Sequence, residues 1–168
     1  MRQGHANFLR QRKWNTGSFA DRTAVSKTAC FTVITGRRRI GKTELIKHFI
    51  SDKKSAYLFT TRSAEKALSI QWQKTLEESI GLKIFGTIET LSDLFEQLML
   101  FSKNNHFTLV IDEFQDIEYV NNAFFSQMQN IWDSNKSSSK INLIACGFIY
   151  FNFKLGFWQI QNKNSICV

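Results

Sequence analysis

The hydrophobic positions along the chain follow two alternating patterns. Four short runs are rich in β-branched and aromatic residues and have the length of buried strands; they cover residues 29–35, 55–60, 107–111 and 141–146. Elsewhere apolar residues recur every three or four positions, as on one face of a helix, over residues 42–50, 64–80, 91–103 and 122–135. Because predicted strands alternate with predicted helices, we expect an α/β fold with a parallel sheet covered on both faces.

The second predicted helix has the clearest limits. Its apolar stripe consists of Leu68, Trp72, Leu76 and Ile80. Ser63 precedes the stripe and is predicted as the N-cap, because a serine hydroxyl can accept a hydrogen bond from a backbone N–H of the first turn. Gly81 follows the stripe and is predicted as the stop, because glycine readily adopts the left-handed conformation that ends many helices.

The composition indicates one globular domain. The 168 residues are 43% hydrophobic and include 16 Phe, with no Pro and only 8 Gly. So much apolar surface can offset the entropy lost on folding, which argues against a disordered or collagen-like chain. The length suits a single hydrophobic core.

The formal net charge of +8 is concentrated at the N-terminal end. Residues 1–39 contain nine Lys or Arg and one acid, Asp21, whereas residues 40–168 contain thirteen basic and thirteen acidic residues. The folded body is therefore electrically balanced. Residues 1–28 show no sustained periodicity, and we predict a loose, solvated basic arm. A mitochondrial transit peptide and a phosphate-contacting segment are the alternatives.

The cysteines show no metal-site spacing. Cys30, Cys146 and Cys167 form no C-x-x-C pair and do not stand at metal-ligand spacing from a histidine. Cys30 and Cys146 lie in apolar runs, so we expect them to be reduced and buried.

No apolar stretch approaches the ~20 residues that span a bilayer, and no signal-peptide apolar region occurs near the N-terminus. These features predict a cytoplasmic protein with no membrane partner.

One segment matches a phosphate-binding motif. Residues 36–43, GRRRIGKT, fit G-x-x-x-x-G-K-[ST] at every fixed position, between a predicted strand and a predicted helix. The glycines let backbone N–H groups surround phosphates, Lys42 would contact the β- and γ-phosphates, and Thr43 would offer its hydroxyl to Mg²⁺. The predicted nucleotide-binding residues are Gly36, Arg37, Arg38, Arg39, Ile40, Gly41, Lys42 and Thr43. The three arginines either add positive charge near the phosphates or point into solvent.

An acidic pair ends the third predicted strand. Asp112 and Glu113 directly follow the apolar residues of this run. Asp112 is predicted to hold Mg²⁺ through water, with Thr43 as the second residue of the metal site. Glu113 is predicted as the catalytic base that orients the attacking water. The alternative is that the pair only caps the following loop.

Two polar groups that commonly assist the hydrolysis of nucleoside triphosphates are missing from the predicted site. The fourth strand ends in the apolar sequence Ala145-Cys146-Gly147, and Asn142 lies too early in the strand to reach the γ-phosphate. Residues 120–168 contain no Arg that could act as an arginine finger. The N-K-x-D motif of GTPases is also missing, which favours ATP. The sequence thus predicts nucleotide binding more firmly than turnover.

Three segments resemble the archaeal-type ATPase family of prokaryotes, in the AAA+/STAND branch of P-loop NTPases. They are residues 31–46 (FTVITGRRRIGKTELI), 57–79 and 109–115 (LVIDEFQ), and the resemblance extends over residues 28–147. It implies an ATP- and Mg²⁺-binding ATPase module, in which Lys42, Thr43, Asp112 and Glu113 match the family's phosphate, Mg²⁺ and acidic positions. It also implies a P-loop NTPase three-layer αβα sandwich with the strand order 5-1-4-3-2.

The C-terminal segment departs from the family pattern. Residues 148–168 are rich in aromatic residues and contain no acid. We therefore expect an incomplete sheet with four of its five core strands, which would leave residues 29–35 as an exposed apolar edge open to a protein partner. A tail folded over that edge is the alternative. The predicted organisation is a basic arm (1–28), an ATPase core (29–147) and a poorly packed aromatic tail (148–168).

The composition changes abruptly before residue 28 and after Gly147, which suggests a truncated or frame-disrupted gene product. Two other functions remain as alternatives. One is a nucleic-acid-binding or interaction protein that uses the basic arm, with strongly salt-dependent binding. The other is a non-functional fragment of a larger ATPase. Because residues 40–168 are electrically balanced, nucleic acid is not an expected ligand of the core.

Overall fold

Strands and helices alternate along the chain in the computed structural model, which describes residues 28–36, 41–86, 88–147 and 165–167. The strands are β1 (Cys30–Thr35), β2 (Ser55–Phe59), β3 (Phe107–Asp112), β4 (Ile141–Gly147) and β5 (Ser165–Cys167). The helices are α1 (Lys42–Ile50), α2 (Glu65–Ile80), α3 (Leu91–Ser102), α4 (Ile117–Val120) and α5 (Phe124–Asn135), with a 3₁₀ turn at Phe114–Asp116. Among the described residues, no helix is both long enough and apolar enough to span a membrane.

The strands form one sheet in the order β2-β3-β4-β1-β5, and every neighbouring pair is parallel. All residues of β1, β3 and β4 are buried, as expected for the central strands of a parallel sheet that helices cover on both faces. In such a sheet the carboxyl ends of the strands meet at one edge. The ends of β1, β3 and β4 therefore lie side by side.

Two apolar clusters fill the two faces of the sheet. The larger cluster joins α2, α3 and α5 to strand residues such as Val33, Leu109 and Leu143. The smaller cluster joins Ile46 of α1 to Ile34, Val110, Ile144 and Cys146. Because successive strand residues point to opposite faces, α1 lies on one side of the sheet and α2, α3 and α5 lie on the opposite side. The predicted three-layer αβα sandwich is confirmed.

The predicted element limits agree with the structure to within two residues, but one cap is different. Gly81 ends α2 with a φ of 75°, and its N–H donates to the carbonyl of Glu77 at 3.1 Å. The N-cap of α2 is Ala64, not Ser63, and it makes no side-chain capping bond. The Ser63 hydroxyl instead hydrogen-bonds with the Thr61 hydroxyl at 3.2 Å, a local contact that competes with capping.

The sheet contains a fifth strand that the sequence did not predict. Residues Ser165–Cys167 pair in parallel with Val33–Thr35 of β1. The expectations of a four-stranded sheet and of a free edge along β1 are therefore wrong for these three positions. Residues 148–164 separate β4 from β5, which exceeds the roughly a dozen residues that a parallel crossover needs. The predicted basic arm, through residue 27, and residues 148–164 of the predicted tail lie outside the described residues.

Candidate functional site

The predicted phosphate-binding segment lies at the carboxyl end of β1 and leads into α1. Gly41 is the N-cap of α1 and has a φ of 89°, a conformation that glycine adopts without strain. The Lys42 ammonium donates a hydrogen bond to the carbonyl of Gly36 at 3.0 Å, so it reaches back over the end of β1. Residues 37–40 lie outside the described residues. The role of these four residues, Arg37, Arg38, Arg39 and Ile40, stays a prediction.

The structure brings Thr43 and Asp112 together from two distant segments of the chain. The Thr43 hydroxyl donates to Asp112 Oδ2 at 3.2 Å, across a sequence separation of 69 residues. Asp112 is the last residue of β3 and is only 6% exposed. Its other oxygen, Oδ1, accepts a hydrogen bond from the backbone N–H of Glu113 at 2.9 Å. The two residues predicted to form the metal site are therefore in direct contact.

Tyr57 also contacts the Asp112 carboxylate, and the sequence analysis did not identify it. Its hydroxyl donates a hydrogen bond to Asp112 Oδ2. Burial, and then this hydrogen bond, raise the pKa of Tyr57 above its ordinary value, so the phenol stays protonated and remains a donor. The sequence carried no signal for this contact, because it depends on the strand register. Tyr57 lies two positions before Phe59, which pairs with Asp112, so both side chains fall on the α1 face of the sheet.

Glu113 and Gln115 follow β3 and interact with each other. Glu113 has a φ of 50°, a left-handed conformation that is uncommon for a residue other than glycine and that recurs at functional sites. Gln115 lies in the 3₁₀ turn, and its side-chain Nε2 donates to Glu113 Oε2. The predicted base therefore has a side-chain partner that the sequence did not reveal.

Asn142 lies far from this edge, as the sequence predicted. It pairs in register with Cys30 of β1 and Thr108 of β3, near the start of those strands. Its amide donates to the Thr108 hydroxyl at 3.4 Å. Asn142 therefore cannot supply the polar group that is missing from the end of β4.

Both cysteines predicted to be reduced and buried are buried thiols, and Cys146 borders the site. Burial, and then the negative charge of Asp112, raise the pKa of the Cys146 thiol from 9.0 to about 12. The folded chain therefore keeps the thiol neutral at a pH where an unfolded chain ionises it.

This shift predicts a loss of stability at alkaline pH. Because the pKa of the Cys146 thiol is higher in the folded state, this shift contributes to the free energy of unfolding below pH 9.0. The contribution is lost as the pH rises toward 12. Between pH 8 and 10.5 the free energy of unfolding should fall by about 2 kcal/mol more in the unmodified chain than in Cys146→Ala. Urea unfolding of both chains at the two pH values measures this difference, and equal losses would contradict it.

Comparisons with known proteins agree with this architecture. A family model described as an ATPase domain predominantly from Archaea matches residues 21–148. An uncharacterized protein of Methanocaldococcus jannaschii is 37% identical over 68 residues, which cover 40% of this chain and 66% of that protein. A Walker-type ATPase of Pyrococcus abyssi matches the structure with a TM-score of 0.63 and 15% sequence identity, over 94% of this chain and 53% of that chain.

These matches differ in what they show. At 15% identity, the match to the Pyrococcus abyssi ATPase shows a shared fold, and this chain spans about half the length of that protein. The family model extends over most of the chain, including both β1 and β4. It also includes the segments that bring Thr43 and Asp112 into contact. This chain belongs to the family of ATPase domains found predominantly in Archaea.

Proposed function

We propose that residues 29–147 bind ATP with Mg²⁺ and hydrolyse it. The observation that carries this proposal is the 3.2 Å hydrogen bond from the Thr43 hydroxyl to Asp112 Oδ2. It joins the segment that matches a phosphate-binding motif to the acidic end of a neighbouring parallel strand. Ligands in open α/β sheets bind at the carboxyl ends of the strands, which is where this contact lies.

The phosphates would lie at the N-terminus of α1. The first backbone N–H groups of a helix have no intrahelical partner and favour anionic oxygen. Gly41, the N-cap of α1, has no side chain that could compete for these groups. Lys42 would exchange its contact with the Gly36 carbonyl for the stronger interaction with phosphate oxygens. Arg37, Arg38, Arg39 and Ile40 complete the proposed loop.

The donors at this edge suit Mg²⁺. Magnesium prefers oxygen ligands and usually keeps several waters, with few protein ligands. Thr43 and Asp112 supply a hydroxyl and a carboxylate within 3.2 Å of each other. When bound, Mg²⁺ neutralises charge on the β- and γ-phosphates. Tyr57 and the Glu113 backbone N–H fix the orientation of the Asp112 carboxylate.

Glu113 is the proposed base for hydrolysis. Its carboxylate follows directly after Asp112 and would accept a proton from the water that attacks the γ-phosphate. The backbone N–H of Glu113 donates to Asp112 Oδ1 at 2.9 Å. The base and the metal site are therefore linked through one short segment of backbone.

The Mg²⁺ dependence of ATP binding tests this proposal. The dissociation constant for ATP is measured by calorimetry with Mg²⁺ and with EDTA, for the unmodified chain and for Thr43→Ala. The unmodified chain should bind more tightly with Mg²⁺, and Thr43→Ala should reduce this gain about tenfold, because one hydroxyl ligand is lost.

A second threonine provides the matched control. Thr75 is half-buried on α2, where its hydroxyl donates to the Gln71 carbonyl at 3.1 Å. Thr75→Ala should keep the full gain from Mg²⁺. Equal ATP affinity with Mg²⁺ and with EDTA in the unmodified chain would contradict the proposed metal site, as would a full gain in Thr43→Ala.

A further inference from the structure

The end of β4 has no polar side chain of its own, but Gln115 extends into that place. Its side-chain Oε1 lies against Gly147, the last residue of β4. Gln115 reaches this position from the 3₁₀ turn that follows β3. A polar amide therefore lies at the end of β4 even though Ala145, Cys146 and Gly147 provide none.

The same amide holds the Glu113 carboxylate. Gln115 Nε2 donates to Glu113 Oε2. Gln115 Nε2 lies farther from Asp116 Oδ1, at 3.5 Å, than from Glu113 Oε2. Asp116 Oδ1 also pairs with the Arg62 guanidinium at 3.0 Å. Glu113 is thus fixed at two points: its backbone N–H bonds to Asp112, and its carboxylate bonds to Gln115.

We propose that Gln115 is a positioning residue for ATP hydrolysis, which orients the Glu113 carboxylate from the end of β4. This inference rests on the proposed function. The physical reason is geometric: a base must lie within hydrogen-bond reach of the water it activates, and small misplacements lower the rate strongly. Gln115 would take the place of the polar side chain that is missing from β4.

Gly147 is needed for this arrangement. A Cβ placed on Gly147 would overlap Gln115 Oε1, whereas the next nearest atom, Gln115 Cδ, is 3.5 Å away. The overlapping atom is the far end of a flexible side chain, so the side chain can move aside at little cost to folding. Gly147→Ala should therefore displace the Gln115 amide while leaving the Glu113 side chain chemically intact.

A double-mutant cycle tests the inference. The kcat and KM for Mg²⁺-ATP are measured for the unmodified chain, Gln115→Met, Gly147→Ala and the double variant. Methionine keeps the approximate length of glutamine and removes the amide. Each single variant should lower kcat about 10- to 100-fold with little change in KM. The double variant should be no slower than the slower single variant, because both changes remove the same interaction.

Thermal unfolding and one control variant separate this role from general damage. All three variants should unfold within about 3 °C of the unmodified chain and keep its Mg²⁺-ATP affinity. Gln71→Ala, on the exposed face of α2, should leave kcat unchanged.

Several outcomes would overturn the inference. They are an unchanged kcat in Gly147→Ala, effects that multiply in the double variant, or a change in KM in place of kcat, each in a chain whose unmodified form hydrolyses ATP. Failure of the proposed function itself would be recognised separately, because the unmodified chain would then bind no Mg²⁺-ATP or would bind it without turnover.

Discussion

Replacing Glu113 by Gln should lower the rate of ATP hydrolysis by about 100- to 10,000-fold while leaving Mg²⁺-ATP binding close to that of the unmodified chain. Glutamine keeps the size and the hydrogen-bonding capacity of the side chain but cannot accept a proton at neutral pH. The metal-site residues are not altered, and the backbone N–H of residue 113 can still donate to Asp112 Oδ1. Phosphate release and equilibrium binding, measured on the same preparation, separate the two effects.

The matched control for this variant is Glu77→Gln. Glu77 is exposed on α2, away from the edge where β1, β3 and β4 end. This control should hydrolyse ATP at the unmodified rate. If Glu113→Gln also retained that rate, another group would be the base, and the assignment of Glu113 would be wrong.

Lys42→Ala should weaken Mg²⁺-ATP binding about 10- to 100-fold, which corresponds to the loss of one or two charge-assisted hydrogen bonds to phosphate. The Lys42 ammonium already lies over the end of β1, 3.0 Å from the Gly36 carbonyl. Removing it leaves the backbone N–H groups of α1 in place, so residual binding is expected. Calorimetric titration with Mg²⁺-ATP measures the difference.

Lys47→Ala is the control for the loss of a positive charge from the same helix. Lys47 lies near the end of α1, and its side chain is 59% exposed beside Glu44. An exposed ion pair of this kind contributes little, so both affinity and stability should be retained. Equal affinity in Lys42→Ala and Lys47→Ala would show that the nucleotide does not contact this loop.

The elements of the fold were predictable wherever the apolar pattern was long and regular. The stripe of α2 and the burial of β1, β3 and β4 follow directly from residue spacing. The N-cap of α2 was not predictable, because Ser63 interacts with Thr61 and leaves Ala64 as the cap. Short turns also escaped the analysis: Phe114–Asp116 and Ile117–Val120 span too few residues to show a period.

The fifth strand could not be identified from its own sequence. Only Ser165–Cys167 pair with β1, and three residues are too few to carry a strand pattern. Its position depends on the edge that Val33–Thr35 offer, which is a property of the assembled sheet. Sequence reasoning recognised this edge as apolar and open to pairing and gave the folded tail (148–168) as an alternative, but did not identify which three residues of the tail pair with it.

The candidate site was predictable where local motifs encode it. The segments that contain Lys42, Thr43, Asp112 and Glu113 were apparent from the sequence, and the structure brings Thr43 and Asp112 into contact. Tyr57 and Gln115 were missed because their contacts depend on strand order and on a turn. Tyr57 reaches Asp112 only because β2 lies beside β3, and Gln115 reaches Gly147 only because β4 lies on the other side of β3.

The most direct test of nucleotide binding is the thermal unfolding of the unmodified chain with and without Mg²⁺-ATP, with Lys42→Ala measured beside it. A ligand that binds only the folded state stabilises it by about 2.7 kcal/mol at 100 times its dissociation constant, which corresponds to a shift on the order of 5–10 °C for a domain of this size. We expect this shift in the unmodified chain and a much smaller one in Lys42→Ala. An unchanged transition in the unmodified chain at saturating Mg²⁺-ATP would contradict the proposed function.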